Sequence, residues 1–371
     1  MMLKKTMLAV ALILALGVLG ACGSKADKPS DESMNDRTEQ TETVPNEDET
    51  QGGGEEIAEG SPLDGAPMFD DAAFAQMIRE LIDKPEGEIT EEDLVGITAI
   101  DYSGGGLSDE EKIMSIKGIE HCIHLEEVRL GGHRISDITP LNGLRSLRWI
   151  DMYENEINDI TVLKSLTALE LIDLNGNNIS DITPLQNLTE ITDLNLNNNE
   201  IDDISPLGEL IKLRRLHMYS NNISDIAALA GLTRLELIDL DDNNISDLSP
   251  VRGLLELWWF SASDNQISDI TPLQDRVNML QLTLGHNAIS DITPLQNIAT
   301  LWHLDLGHNA ILDITPLAGM AKLQALWLHG NQISDISVLS GLTTLKTVSL
   351  EDNNVTDWSP VNHVAEVYGR P

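Results

Sequence analysis

The side chains best equipped for chemistry gather in the C-terminal half of the sequence. His286, His303, His308 and His329 surround Asp305, and imidazole nitrogens beside a carboxylate are common donors to zinc or another divalent ion. The tetrapeptide LGHN occurs twice, carrying His286 and His308, so duplication of one segment accounts for that pair as well as metal binding does. A second metal-like spelling is His121-Cys122-x-His124. The sequence has no nucleophile elbow, no Gly-rich phosphate loop and no paired catalytic carboxylates at an interrupted site, so neither an enzyme nor a cofactor is expected.

What would position these residues is a repeat. The stretch Leu169 to Glu190, LELIDLNGNNISDITPLQNLTE, returns every 22 residues from Leu125 to Glu366, eleven times without insertion. With Leu169 as position 1, positions 4 and 6 are apolar between variable neighbours at 3, 5 and 7. That is the period-2 pattern of a short strand with one buried face. Position 9 is Asn in ten repeats, with His133 the exception. A buried amide column of this kind can bond the backbone of successive coils. Position 11 is Ile or Val, position 13 is Asp from Asp137 to Asp357, and Thr or Ser at 15 commonly precedes Pro at 16. Ser or Thr before Pro reads as an N-cap followed by the first residue of a one-turn helix, which turns Leu at 17 and an apolar residue at 20 inward. The Asp column would cap the same turn. Calcium is the alternative for that column, although no other acid recurs at liganding spacing. Cys122 falls at position 20, which makes it a buried, inert thiol rather than a ligand. Arg276, also at position 20, is the clearest irregularity and has no functional reading.

The chain of 371 residues has a formal charge of -38 and a pI near 4.3, a field that repels nucleic acid and anionic lipid surfaces and attracts basic ones. With only Cys22 and Cys122, no disulfide framework exists. Lys4 and Lys5 precede an apolar run from Met7 to Leu19, too short for a comfortable bilayer span, and Leu19-Gly20-Ala21-Cys22 places small residues before a cysteine. Residues 1–21 thus resemble a bacterial lipoprotein signal peptide. The resemblance implies cleavage before Cys22, a lipid on its sulfur, and anchoring at the extracytoplasmic face of the cell membrane. Residues 22–67 hold 13 Asp or Glu against Lys25, Lys28 and Arg37, with no aromatic, and read as a disordered acidic tether or as a tail for a basic partner. Residues 68–96 read as a helical cap. Phe74, Met77, Ile78, Leu81 and Ile82 form a stripe, Asp70 or Asp71 stands at its start, Pro85 and Gly87 at its end, and Thr90-Glu91-Glu92-Asp93 opens a second short helix. Residues 97–124 are a degenerate first repeat, and 125–366 are the eleven regular ones. In the C-terminal end, 367–371, Val367 and Tyr368 with Val364 either fold over the last coil or leave its edge open.

The variable positions carry what is specific to this chain. Trp149, Trp258, Trp259, Trp302 and Trp327 stand at positions 2, 3 or 5, and Tyr153 and Tyr219 at position 7. In a chain with 4% aromatics, seven placed outside the core mark an interface, unless they merely cover one another. Asp101, Asp151, Asp173, Asp239 and Asp305 share position 5, joined by Asp193 at position 3 and Asp241 at position 7. On strands about 4.8 Å apart these carboxylates repel unless a cation or basic partner lies over them, the alternative being a plain solvated face. Arg129 and Arg215 break the sign. The candidate ligand-binding set is Trp149, Asp151, Tyr153, Asp173, Arg215, Tyr219, Asp239, Trp259, Asp305 and Trp327.

The pattern LxxLxLxxNxI followed by SDITPLxxL resembles that of leucine-rich repeat proteins, and its 22-residue unit resembles the internalin-like class of bacterial surface proteins over Phe69 to about Val367. That resemblance implies an α/β solenoid, a right-handed leucine-rich repeat horseshoe with a concave parallel β-sheet and short convex 3-10 turns. It implies a monomeric, non-enzymatic binding protein displayed at the cell surface. The expected ligand is a protein or peptide bearing basic groups, held on an aromatic and acidic concave face. The alternative is a glycan of the cell wall or environment, with tryptophans stacked on sugar faces.

Overall fold

The computed structural model describes residues 68–371, so the expected signal peptide, the lipidation site Cys22 and the tether lie outside the described residues. Thirteen three-residue strands form one parallel sheet in strict chain order. The first, β1, is Ala99–Asp101; β2, Glu127–Arg129, follows it at a spacing of 28 residues, so the first coil is longer than the regular ones. From β2 to β12, Thr347–Ser349, the strands recur at 22 residues in unbroken register, so position 3 pairs with position 3 and position 5 with position 5.

Each coil closes by the same devices. Leu or Ile at positions 1, 4, 6, 11, 14, 17 and 20 is buried, and these residues make one continuous core from Phe74 to Val364. Apolar burial along the whole array is the main favourable term, and each coil can bury its face only against its neighbours. The Asn column does what its position suggests. Asn155 Nδ2 donates to Leu130 O of the preceding coil at 2.8 Å, while its Oδ1 accepts from Ile135 N at 3.0 Å. His133 performs the same task in the first coil, with Nδ1 accepting from Ile113 N at 3.3 Å and Nε2 beside Tyr102 O at 3.0 Å. Every Asp at position 13 caps the following turn, as Asp137 Oδ1 does by accepting from Thr139 N at 2.8 Å. The residue at position 15 is therefore the first residue of the 3-10 turn and not its N-cap; the carboxylate two residues earlier supplies the cap. Position 8 has left-handed backbone in all eleven regular coils, with φ near 50° at Glu154, Asn198, His286 and His308 and glycine at 132, 176 and 330.

The N-terminal helix α1, Ala72–Leu81, is capped by Asp71, whose Oδ1 accepts from Phe74 N. Asp71 Oδ2 accepts from Met114 N at 2.7 Å and Ser115 N at 3.1 Å, tying the helix to the first coil. Phe74, Met77 and Ile78 join the core, but Leu81 of the expected stripe is 47% exposed. The short helix α2, Glu91–Leu94, begins with Asp93 accepting from Thr90 N and Lys84 Nζ, which holds its carboxyl down at about 2. At the other end, the regular repeat does not run to Glu366. Glu366 opens the last strand, β13 (Glu366–Tyr368), only 19 residues after Thr347, its partner on β12. The eleventh coil keeps its convex turn, Ser359–Val361, and Val364 turns inward at position 20, so the three residues are lost between Val364 and the last strand. Among the described residues no helix is long and apolar enough to cross a membrane.

Candidate binding face

The side chains at positions 3, 5 and 7 point away from the core, and those of the coils from Leu125 to Leu345 form one sheet face. Trp149, Asp151, Tyr153, Asp173, Asp239, Trp259, Asp305 and Trp327 all lie on it half-buried, with Arg215 and Tyr219 more exposed. The sheet thus brings the whole candidate set onto one surface, but as three neighbourhoods rather than one track.

The first neighbourhood is closed upon itself. The Arg129 guanidinium lies 3.7 Å from the centroid of the Trp149 ring and bonds Asp101 at 3.2 Å and Glu127 at 3.0 Å. Position 7 glycine seats the next coil's ring: a Cβ on Gly131 would collide with Tyr153, whose hydroxyl reaches Ser103 Oγ at 3.1 Å. Beside Trp149 is a shallow cavity of about 310 Å³, lined by Leu171, Glu170 and Asp193 among others. Burial, with Asp173 next to it, pushes the Asp151 carboxyl up to about 6. Its Oδ1 and the Trp149 Nε1 are shielded without a partner among the described residues.

In the second neighbourhood Arg215 pairs with Asp193, and Asn195 donates to Asp173 at 3.0 Å. His217 stands 6.1 Å from Trp259, centroid to centroid, and 3.9 Å from Asp239. Asp241 is half-buried beside Asp239; it accepts from Ser261 Oγ at 2.5 Å and Ser263 N at 2.6 Å, and desolvation with the neighbouring charge pushes it up to about 7. The acidic track is therefore partly compensated from within the described residues. Arg129 and Arg215 neutralise part of it, and burial raises Asp151, Asp173, Asp241 and Asp305 toward the protonated form.

The third neighbourhood is aromatic. His303 stands edge-on to Trp302 at 5.6 Å and lies 4.5 Å from Trp327, and burial lowers it to about 4, so it is neutral at physiological pH. His286 stacks on His308 at 4.1 Å, and His308 meets His329 edge-to-face at 4.8 Å. These rings pack against one another instead of converging their nitrogens, and among the described residues no group of three or more His, Cys, Asp or Glu is arranged to hold a metal ion. Two of them also have a backbone reason to be there. His286 and His308 occupy the left-handed position 8, which tolerates Gly, Asn, Asp and His best. Gly307 leaves the seat that His329 fills. Away from this face, Cys122 is fully buried and burial raises its thiol to about 12, a poor nucleophile and a poor ligand. The variety at position 8 was the sequence signal for the left-handed turn, and it was missed.

The described segment has recognisable relatives. The family Leucine Rich repeats (2 copies) matches residues 167–209, 211–253, 299–341 and 321–363. A comparison with curated proteins finds no match. Among solved structures, an internalin (inlF) from Listeria monocytogenes is 34% identical, with 81% of this chain and 95% of that one covered at a TM-score of 0.75. Internalin C2 from the same organism is 32% identical over 58% of this chain and 94% of that one, at a TM-score of 0.55. A leucine-rich repeat protein of Leptospira interrogans, 20% identical over 74% of this chain and 79% of that one with a TM-score of 0.65, shares the fold. With the unbroken 22-residue register, the Asn and Asp columns and this level of identity, the chain belongs to the internalin family of leucine-rich repeat proteins.

Proposed function

We propose that this protein is a non-enzymatic binding protein whose concave face grips a protein or peptide ligand, displayed outside the cell on a lipid anchor at Cys22. The observation that carries the reading is the run of outward-facing rings, from Trp149 and Tyr153 through Tyr219 and Trp259 to Trp327, over which no element of the described chain lies. Rings of this kind bury large area at low entropic cost, and the coils differ from one another chiefly at these positions. Asp239 and Asp241 at the middle of the face, with Asp151 toward its N-terminal end, favour a ligand with basic groups. A glycan held by stacking on the same tryptophans is the second reading, supported by Trp259 and Trp327 standing next to carboxylates and histidine.

Retention of a protein partner by the mature chain should weaken with added salt and fall at least about tenfold in the double variant Trp259→Ala, Trp327→Ala. Retention only on purified wall polysaccharide, unaffected by salt, would overturn the reading in favour of the glycan. For the anchor, Cys22→Ser should release the chain from the membrane fraction. A variant that stays membrane-bound refutes lipidation at that residue.

A further inference from the structure

A different surface lies along the leading edge of the sheet, where position 2 of each coil enters its strand. Over most of the array this edge is polar and ion-paired. Arg148 bonds Glu170 at 2.5 Å, Arg214 bonds Glu236 at 2.5 Å, and Lys346 bonds Gln324 at 2.8 Å. Between the last two pairs the pattern stops for three coils, and position 2 becomes Trp258, Leu280 and Trp302. The backbone sets these three side by side, since Leu280 N donates to Trp258 O at 2.8 Å and Trp302 N to Leu280 O at 3.0 Å. Below them, position 21 contributes Leu255 at 64% exposure and Val277 at 62%, with Leu280 itself 38% exposed.

Two features suit this patch to being covered. Its backbone carbonyls are already satisfied from within: Thr300 Oγ1 donates to Val277 O at 3.0 Å and to Met279 O at 2.7 Å, and Asn278 Nδ2 donates to Leu255 O at 3.2 Å. An apolar body can therefore settle here without stranding buried acceptors, the main penalty of covering backbone. Its fringe is acidic, with Glu256 and Asp275 both exposed beside Leu255 and Val277. Leucine and valine offer sugar hydroxyls nothing to bond, which disfavours a glycan. A second copy of a chain with formal charge -38 would bring like charges together around the contact.

We propose that the leading edge from Leu255 to Trp302 is a second docking surface, distinct from the concave face, for a partner protein that presents an apolar centre fringed by basic residues. Selection of short random displayed peptides on the immobilised full chain tests this. Enriched peptides should pair aliphatic or aromatic residues with Lys or Arg. A class of them should lose binding by at least about tenfold on Leu280→Asp and on Val277→Asp, while surviving Trp259→Ala plus Trp327→Ala. Circular dichroism and the melting temperature of both aspartate variants confirm that they fold, and Val277→Asp, at a more exposed site, serves if Leu280→Asp does not. If every enriched peptide depends on the concave tryptophans alone, or none depends on Leu280 or Val277, the second surface is refuted and the concave reading stands untouched. A concentration-dependent dimer, seen in sedimentation and abolished by Leu280→Asp, also refutes it, because the occupant is then another copy of the chain.

Discussion

The amide column can be tested at Asn243, near the middle of the array. Its Nδ2 donates to Met218 O at 2.9 Å, Leu240 O at 3.2 Å and Asp241 O at 3.0 Å, and its Oδ1 accepts from Ile223 N at 3.0 Å. In Asn243→Ala the carbonyls keep other donors. Asn221 Nδ2 still reaches Met218 O, Asn265 Nδ2 still reaches Leu240 O, and Ser220 N still reaches Asp241 O. Only Ile223 N is left without an acceptor, next to a buried side chain. Stranding one buried N–H costs about 1–3 kcal/mol, and the lost net hydrogen bonding adds about 1, so the substitution should destabilise by roughly 2–4 kcal/mol. Repeat arrays open locally, so the sharper assay is hydrogen exchange. The Ile223 amide should lose protection strongly. The Ile289 amide, held by Asn309 three coils on, should hardly change. A loss under about 0.5 kcal/mol in urea unfolding with unchanged exchange at Ile223 would refute the ladder as the tie between coils.

Arg276 is buried at 3% exposure and donates to Leu254 O at 2.6 Å, Pro272 O at 3.2 Å and Val251 O; among the described residues no carboxylate pairs with it and its Nε has no partner. Since neighbouring coils hold Leu254 and Ile298 at the same position, Arg276→Leu should stabilise by about 1–2 kcal/mol, checked by urea midpoint; a loss of stability sinks the view that its desolvation outweighs its hydrogen bonds. Asp241, raised to about 7, binds a proton in the folded chain that the unfolded chain has already released, so its contribution is complete below about pH 4 and fades as pH rises toward 7. Asp241→Asn should therefore match the parent near pH 4 and exceed it at pH 8 by on the order of 1–2 kcal/mol, less than the full shift implies because the carboxylate keeps some contact with solvent. A constant difference across that range in paired urea titrations would refute the assignment.

Periodicity made the scaffold legible because every structural column is copied ten or eleven times, so apolar residues at 4 and 6, Asn at 9 and Asp at 13 announce themselves without coordinates. Lateral pairing was harder to see, because it joins residues of different columns or depends on which of several neighbours a long side chain chooses. Arg129 was read as a break in sign, yet it lies over Trp149 and reaches back to Asp101 across the longer first coil, a spacing that the repeat does not give. The shortened last coil was hidden for a related reason. Val361, His363 and Val364 can be aligned to the 22-residue frame, and only the pairing of Glu366 with Thr347 reveals the missing three residues. The alternation at position 8 looked like noise, since Gly, Asn, Asp, Ser and His share no chemistry apart from tolerance of positive φ.

These differences bear on how the proposed complex would divide its energy. Toward the N-terminus the charged residues have partners in the chain, and exposed pairs such as Arg129–Asp101 contribute about 0–1 kcal/mol each, so exchanging them for a ligand's charges is nearly neutral. Toward the C-terminus of the face, Trp259 and Trp327 are half-buried. Covering what remains of one indole, at most about a third of its 150–250 Å², is worth about 1–2 kcal/mol at 25 cal/mol per Å². Two such rings outweigh ion pairs whose exchange is nearly neutral. The aromatic end is therefore where affinity resides, and the charged end governs the rate and orientation of approach. It follows that salt should slow association with little effect on how long the complex lasts, whereas loss of a C-terminal tryptophan should shorten its lifetime. If salt and Trp327→Ala change the same rate constant, this division of the face is wrong.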